Sequence, residues 1–165
     1  MTELRIWTAR QTIKVAAPPA RVYQLLAHVD RWPSLFDSLV AVEHLGYEET
    51  SERVRFWKRT DSGLHCWTSV RELNPKRLQV RFRQIDFPEP LASLGGLWLV
   101  VPKNHHSIIA LDHYYRVRGD DPAAAARVER DIYTNSAVML SALRHTAEVA
   151  DLVETGSPAE GEAVA

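Results

Sequence analysis

The sequence predicts an α+β fold in which a curved antiparallel sheet of about seven strands wraps around one long C-terminal helix. Two observations lead to this prediction. Strand-like runs follow one another with only short turn signals between them, and one long amphipathic segment covers 124–153. Strands joined by short turns pair antiparallel, and a single amphipathic helix must bury its apolar stripe against that sheet. The length of 165 residues fits one domain, placed at 1–153.

The N-terminal third predicts one strand and two short helices. Apolar residues alternate from Trp7 to Val15, which indicates a strand over 4–16 with one buried face. Pro19 suits the first turn of a helix over 19–28, and 30–36 predicts a second short helix or turn. Gly, Asp and Pro turn signals then separate six further strands, predicted at 39–46, 52–60, 64–74, 77–86, 95–101 and 107–118.

The C-terminal third predicts the long helix and a tail. Asp121 is a suitable N-cap, with Pro122 in the first turn. An apolar stripe at spacings of three, four or seven residues then runs from Val128 to Ala150. The last residues, 154–165, are rich in Gly, Pro, Ala and Glu, and this composition predicts a disordered tail.

Several classes of site are excluded by composition and motif. The single cysteine, Cys66, rules out an internal disulfide framework and a cysteine-based zinc cluster, and no histidines stand with a carboxylate at metal-ligand spacing. No glycine-rich phosphate loop or Gly-x-Ser-x-Gly elbow is present, so we expect no metal and no cofactor. The sequence has no signal-peptide pattern and no run of 18 apolar residues, so we expect a cytoplasmic protein with no membrane partner.

The strand over 64–74 carries the most informative charged residue. Because side chains alternate across a strand, Trp67, Ser69 and Arg71 share one face, and if Trp67 faces the interior then Arg71 does too. A buried guanidinium needs partners. Two interpretations stay open: Arg71 pairs with a helix acid such as Asp131, or it holds an anion or oxyanion inside a cavity.

A second candidate is His113, which shares a strand face with Ile109, Leu111 and Tyr115. A lone histidine on an apolar face is more often a satisfied core residue than a functional one, so both interpretations stay open here. A helix held by a strongly curved sheet leaves space between them, and such spaces bind ligands. We expect a cavity of roughly 300–1,000 Å³, lined by Trp32, Trp67, Ser69, Arg71, His113, Tyr115, Asn135 and Met139.

Positive charge is concentrated in one segment, 53–83. It holds nine basic side chains against Asp61 and Glu72, a net charge of +7 in a chain whose total is −1. One interpretation is a solvated sheet face. The other is a docking surface for an acidic partner. Nucleic acid is not expected, because no binding motif accompanies the segment.

The chain resembles the single-domain aromatase/cyclases of bacterial type II polyketide synthases, which belong to the START/Bet v1-like helix-grip superfamily. The similarity runs from about 10 to 150. It rests on the motifs Val15-Ala-Ala-Pro18 with Val22-Tyr23, Trp32-Pro-Ser-Leu-Phe36, Trp67-Thr-Ser-Val-Arg71, Phe82-Arg-Gln84, Gly95-Gly-Leu-Trp98 and Asn135-Ser136. The second and third motifs are the more specific ones.

The resemblance implies a poly-β-ketone substrate carried on an acyl carrier protein, with the other type II polyketide synthase components as further partners. Such enzymes close the first ring by aldol addition and aromatise it by losing water. Arg71 matches the family's pocket arginine and His113 a pocket histidine of some members, which implies catalytic roles for both. Arg83 matches a pocket arginine of relatives, although strand alternation leaves a solvent-facing Arg83 equally open. Where some relatives have a carboxylate, this chain has Met139.

Two other functions stay open at this stage. The helix-grip fold hosts many functions, so a non-catalytic binding module for a lipid or another hydrophobic molecule is the main alternative. Polar groups only at the cavity mouth would favour that alternative, whereas Arg71 and His113 in one interior space would favour catalysis. A third interpretation, a domain acting on ribosomes or nucleic acid, requires the basic residues on one convex outer surface.

Overall fold

The computed structural model describes residues 5–164, with side chains described through Glu154. Seven antiparallel strands form one sheet in the order β1-β7-β6-β5-β4-β3-β2. The predicted α+β class and the strand count are therefore confirmed. The strands are β1 Trp7–Val15, β2 Leu39–Glu48, β3 Ser51–Thr60, β4 Gly63–Asn74, β5 Gln79–Gln84, β6 Leu91–Lys103 and β7 His106–Val117.

Three α-helices complete the domain. Helix α1 (Pro19–Ala27) is followed by a 3-10 turn and by the short α2 (Trp32–Leu35), and both precede β2 as predicted. The long helix α3 (Pro122–Val164) packs mainly against β1 and β7. Beyond Glu154 the predicted tail lies outside the residues whose side chains are described, so the expectation for 154–165 stays a prediction.

Strand β6 begins at Leu91, four residues earlier than predicted. Leu91 pairs with Val117 of β7, and the register then shifts by one residue before Ser93. This bulge and the Gly95-Gly96 pair interrupt the simple alternation that marks a strand in sequence. Gly96 has a packing role as well, because a Cβ there would meet the carbonyl oxygen of Asp112 and lie 2.5 Å from Phe82 Cζ.

The inner face of the sheet, towards α3, carries two separate hydrophobic clusters. The larger one includes Trp32 and Trp98, and the smaller one surrounds Tyr115 at the N-terminal end of α3. One cross-strand row on this face runs from Arg71 through Phe82 and Gly96 to His113. No helix in the described part of the chain is long and apolar enough to cross a membrane.

Candidate active site

A cavity of about 600 Å³ separates the two hydrophobic clusters. Its volume falls within the range expected from the sequence. Four structures enclose it: the end of the β3–β4 hairpin, the β5–β6 loop, the inner face of β6 and β7, and the N-terminal half of α3. Most of its wall is apolar, formed by Trp67, Phe87, Pro88, Pro90, Leu91, Leu94, Val128, Ile132 and Met139.

His113 is the polar group on the sheet side of this cavity. The Phe82 ring lies edge-on to the imidazole, with 5.6 Å between ring centroids. No described residue forms a hydrogen bond with either ring nitrogen, so both are available to a ligand or to water. Burial lowers the pKa of His113 to about 4, partly opposed by the carboxylate of Asp112. The imidazole is therefore neutral at pH 7, with one N–H donor and one acceptor nitrogen.

Helix α3 supplies polar groups to the opposite wall. Asp131, Asn135 and Met139 recur every four residues and so follow one stripe of the helix. Ser136 lies beside them on the cavity side and is buried. The cavity thus has a neutral imidazole on one wall and an amide, a hydroxyl and a carboxylate on the other.

Further polar and charged side chains line the cavity. Lys58 and His65 come from the β3–β4 hairpin, and Asp86 and Glu89 come from the β5–β6 loop. Asp86 accepts a hydrogen bond from the Thr68 amide (2.6 Å), and this bond ties the loop to β4. No group of three or more His, Cys, Asp or Glu side chains suited to a metal ion occurs among the described residues.

Arg71 is buried, but its guanidinium points away from this cavity. It forms an ion pair with the buried Glu52 and donates hydrogen bonds to the carbonyl oxygens of Leu26 and Ala27 at the end of α1. It also lies over the Trp32 ring, 5.1 Å from the centroid. Burial lowers the pKa of Arg71, and the carboxylate of Glu52 opposes that shift. The partner is therefore a strand acid, whereas the helix acid Asp131 lines the cavity.

Four other predicted residues also lie outside the cavity, and each has a physical reason. Trp32 donates its indole N–H to the Leu25 carbonyl at 2.8 Å. Ser69 donates to the Arg83 carbonyl at 3.2 Å, and the buried Tyr115 donates to the Ala125 carbonyl at 3.4 Å. Arg83 itself is exposed on the outer face of β5, which was the open alternative. Of the nine predicted site residues, the structure brings Trp67, His113, Asn135 and Met139 together at the cavity.

A row of stacked aromatic rings leads from Trp32, the ring beneath the Arg71 guanidinium, to the cavity. Trp32 stacks on Phe56 at 5.5 Å between centroids, and Phe56 stacks on Trp67 at 5.4 Å. Trp67 in turn lines the cavity. Trp32 therefore supports the wall that a ligand would meet, without being part of it.

Sequence reasoning missed the contributions of the β5–β6 loop and of Lys58. The two prolines at 88 and 90 indicated a loop, but its fold over the cavity depends on contacts between Asp86 and β4. Lys58 continues the alternation of Val54 and Phe56 along β3, and that pattern was available in the sequence. Cys66 alternates with Trp67 along β4, yet both residues border the cavity.

The fold defines a helix-grip protein, and the cavity lies between its sheet and its long helix. A family model described as "Polyketide cyclase / dehydrase and lipid transport" matches residues 7–148. The chain belongs to this family, and the resemblance noted in the sequence is confirmed.

Two curated relatives are similar to this chain over most of its length. The chain is 40% identical over 153 residues to the granaticin polyketide synthase bifunctional cyclase/dehydratase of Streptomyces violaceoruber, covering 92% of this chain and 45% of that protein. It is 35% identical to the actinorhodin counterpart of Streptomyces coelicolor, covering 83% of this chain and 43% of that protein. The chain thus spans about half the length of these curated relatives.

Solved structures agree with this assignment. The di-domain ARO/CYC BexL from the BE-7585A biosynthetic pathway superposes with a TM-score of 0.79 at 37% identity, covering 90% of this chain and 48% of that one. The Zhui aromatase/cyclase from Streptomyces sp. R1128 also gives 0.79, at 26% identity, and covers 87% of this chain and 94% of that one.

Proposed function

We propose that this chain is a polyketide aromatase/cyclase that folds a carrier-bound poly-β-ketone, closes its first ring and aromatises it by loss of water. The observation that carries the proposal is the apolar cavity in which the partly buried His113 has no hydrogen-bond partner among the described residues. Names of the relatives, all cyclases or aromatases of polyketide pathways, support the same chemistry.

The proposed reaction needs proton transfer and no external reactant. A methylene between two carbonyls loses a proton to give an enolate, and the enolate carbon adds to a second ketone of the same chain. The resulting alkoxide takes up a proton, and the hydroxyl group leaves as water together with a further α-proton to give an enone. Enolisation of the remaining ring carbonyl then gives the aromatic ring. His113 is neutral at pH 7, so it donates its N–H to a carbonyl oxygen and accepts a proton at its other nitrogen.

Exclusion of water supports correct folding of the substrate in this proposal. Poly-β-ketones have many possible ring closures, and an apolar wall restricts the chain to those that its shape permits. Trp67 and Phe87 supply flat surfaces on two sides of the cavity, and these surfaces fit the planar product. Removal of His113 is expected to cost rate, and removal of Trp67 to cost ring selectivity.

The predicted carrier protein fits the outer face of the sheet. Arg53, Arg55, Arg59, Arg81 and Arg83 alternate outward on β3 and β5, and we call this set the outer arginine face. Of these five arginines, only Arg55 has an acidic partner among the described residues, Glu43 at 4.0 Å. Arg53 and Arg83 also border a groove of about 330 Å³ on this part of the sheet. Complementary charge accelerates encounter with an acidic protein and is screened by salt.

The test of the function is a product profile. A minimal polyketide synthase run with this protein should give more of the correctly cyclised aromatic product and fewer shunt products than without it. His113→Ala should restore the shunt products. An unchanged profile with the wild-type protein would reject the enzyme proposal.

The test of docking uses charge reversal. Arg53, Arg55 and Arg59 changed together to Glu should weaken binding of the acidic carrier protein, whereas Arg127 and Arg130 changed to Glu on α3 serve as the matched control. Because five basic residues share one outer surface, duplex nucleic acid is included as a second ligand. If the affinity for the carrier protein changes neither with the charge reversal of the three arginines nor with the salt concentration, this docking mode is wrong.

The binding-module alternative is also supported by one observation. Arg71 does not face the cavity, and apart from the polar groups of His113 and α3 the wall is apolar, as a hydrophobic carrier requires. Tight binding of a fatty acid, measured by native mass spectrometry, together with an unchanged polyketide product profile would favour that alternative.

A further inference from the structure

One cation of the cavity has no role in the function proposed above. Lys58 is partly buried near the end of β3, on the same face as the buried Val54 and Phe56. Its direct cross-strand neighbour is His65 of β4, and both side chains border the cavity. The strand alternation therefore turns this lysine inward, unlike the outer arginine face on the same strand.

Lys58 is the only lysine or arginine among the described residues that border this cavity. None of the carboxylates nearby forms an ion pair with it. Asp86 accepts a hydrogen bond from the Thr68 amide at 2.6 Å, and Glu89 is paired with Arg118 at 3.1 Å. Asp131 lies on the helix wall, and it has no ion pair with Lys58 either.

The other inward-facing cation cannot take this position. Arg71 uses its donors on Glu52 and on two carbonyl oxygens of α1. His113 is neutral, since burial lowers its pKa to about 4. Negative charge that develops on a ligand in the cavity thus has a neutral N–H donor on one wall and a single permanent positive charge, the Lys58 ammonium.

We propose that Lys58 is a further catalytic residue, which donates hydrogen bonds to an enolate oxygen of a 1,3-dicarbonyl ligand. The inference rests on the proposed function for its substrate class. The methylene of a 1,3-dicarbonyl is acidic because its enolate spreads the charge over two oxygens, and an ammonium group favours that form. A hydrogen bond between two charged groups is stronger than a neutral one, the more so beside an apolar wall. Lys58 keeps its protons and forms no covalent bond.

The first experiment is a binding measurement that needs no turnover. Benzoylacetone, a small aromatic 1,3-diketone, changes its ultraviolet spectrum when it becomes an enolate. Its titration is followed with the wild-type protein, Lys58→Met, Lys58→Arg and, as the matched control, the exposed Lys103→Met. We expect the bound diketone to ionise at lower pH on the wild-type, the Lys58→Arg and the Lys103→Met proteins, and this shift to be lost with Lys58→Met.

The second experiment measures steady-state cyclisation. Removal of an oxyanion donor typically lowers kcat by about 10²–10³, and for a partly hydrated lysine we expect a loss at or below the lower limit of that range, about tenfold to a hundredfold. Lys58→Met should lower kcat more than it raises KM, because the charge develops after binding. Lys58→Arg should recover part of the rate, and circular dichroism melting verifies that each variant is folded.

The outcomes separate this inference from the proposed function. A Lys58-dependent enolate shift without any cyclisation by the wild-type protein supports the site and rejects the cyclase. Normal cyclisation and a normal enolate shift in Lys58→Met reject the inference and leave the cyclase intact. The inference is also overturned if the wild-type protein gives no enolate shift, or if Lys103→Met reproduces the effect of Lys58→Met.

Discussion

Arg71 and His113 lie on the same cross-strand row of the inner sheet face, yet their surroundings are opposite. Three strand spacings separate them, about 14 Å along the sheet at ~4.8 Å per strand. Arg71 has a carboxylate, two carbonyl oxygens and an indole ring around it. His113 has an aromatic edge and an open cavity. The contrast shows that burial alone does not identify a functional polar group.

The difference follows from the cost of desolvation. Burying a charge without partners costs several kcal/mol, so a cation that is fully buried needs an anion and hydrogen-bond acceptors. Arg71 meets that need within the protein and has little capacity left for a ligand. His113 avoids the cost by staying neutral, and its unused nitrogens remain available. A buried polar group without partners is thus the stronger indicator of a ligand site.

The largest expected effect on stability comes from removal of the Arg71 side chain. Arg71→Ala should lower the free energy of unfolding by about 3–5 kcal/mol, because the buried Glu52 carboxylate loses its guanidinium partner and keeps only the His44 imidazole, 3.2 Å away. Urea unfolding measures this loss. Replacing both partners, as Arg71→Met with Glu52→Leu, should recover most of it, because an apolar pair leaves no charge unpaired. An Arg71→Ala protein that keeps its stability but loses the correct ring product would instead support the oxyanion role predicted from the sequence.

The next largest effect is the pH dependence of the free energy of unfolding that His113 produces. Well above pH 6.5 the histidine is neutral in both the folded and the unfolded state, so its ionisation does not affect stability. Between pH 6.5 and about 4 the unfolded state binds a proton that the folded state does not, so stability falls as the pH falls. The loss reaches about 3 kcal/mol at most, because burial lowers the pKa from 6.5 in the unfolded state to about 4 in the folded state.

His113→Gln removes this contribution. The difference in unfolding free energy between the wild type and the variant should therefore change between pH 7.5 and pH 4, measured by urea titration at several pH values. Below pH 4 the difference should become constant. A difference that does not depend on pH would mean that His113 is hydrated and carries an ordinary pKa.

The smallest effect concerns the residue between the two regions. Gly96 lets the Phe82 ring lie across β6, and a Cβ there would meet the Asp112 carbonyl oxygen. Gly96→Ala should cost about 1–3 kcal/mol through overpacking. It should also displace the Phe82 ring, which contacts His113 edge-on, so the NMR signals of His113 should shift more than those of His44. Unchanged stability together with unchanged His113 signals would contradict this account of the row.

The sequence was sufficient for the fold, because alternation, turn residues and one long apolar stripe all gave the same answer. Alternation also gave the inner face correctly for Trp67, Arg71 and His113. It did not show which part of that face meets a cavity, since that depends on sheet curvature and on the β5–β6 loop. The partner of Arg71 could not be predicted from the sequence either. Glu52 is its cross-strand neighbour only in the register that β3 and β4 adopt, and alternation does not determine that register.

The capping of α1 has a consequence for the order in which the protein folds. Helix α1 has only nine residues, too few to be stable alone in water, and its last carbonyl oxygens are held by Arg71 from β4. These hydrogen bonds join positions 44 and 45 residues apart, so they form only after a long loop has closed. The last turn of α1 therefore becomes protected only once β4 is in the sheet. In native-state hydrogen exchange, α1 and β4 should therefore open together as one cooperative unit.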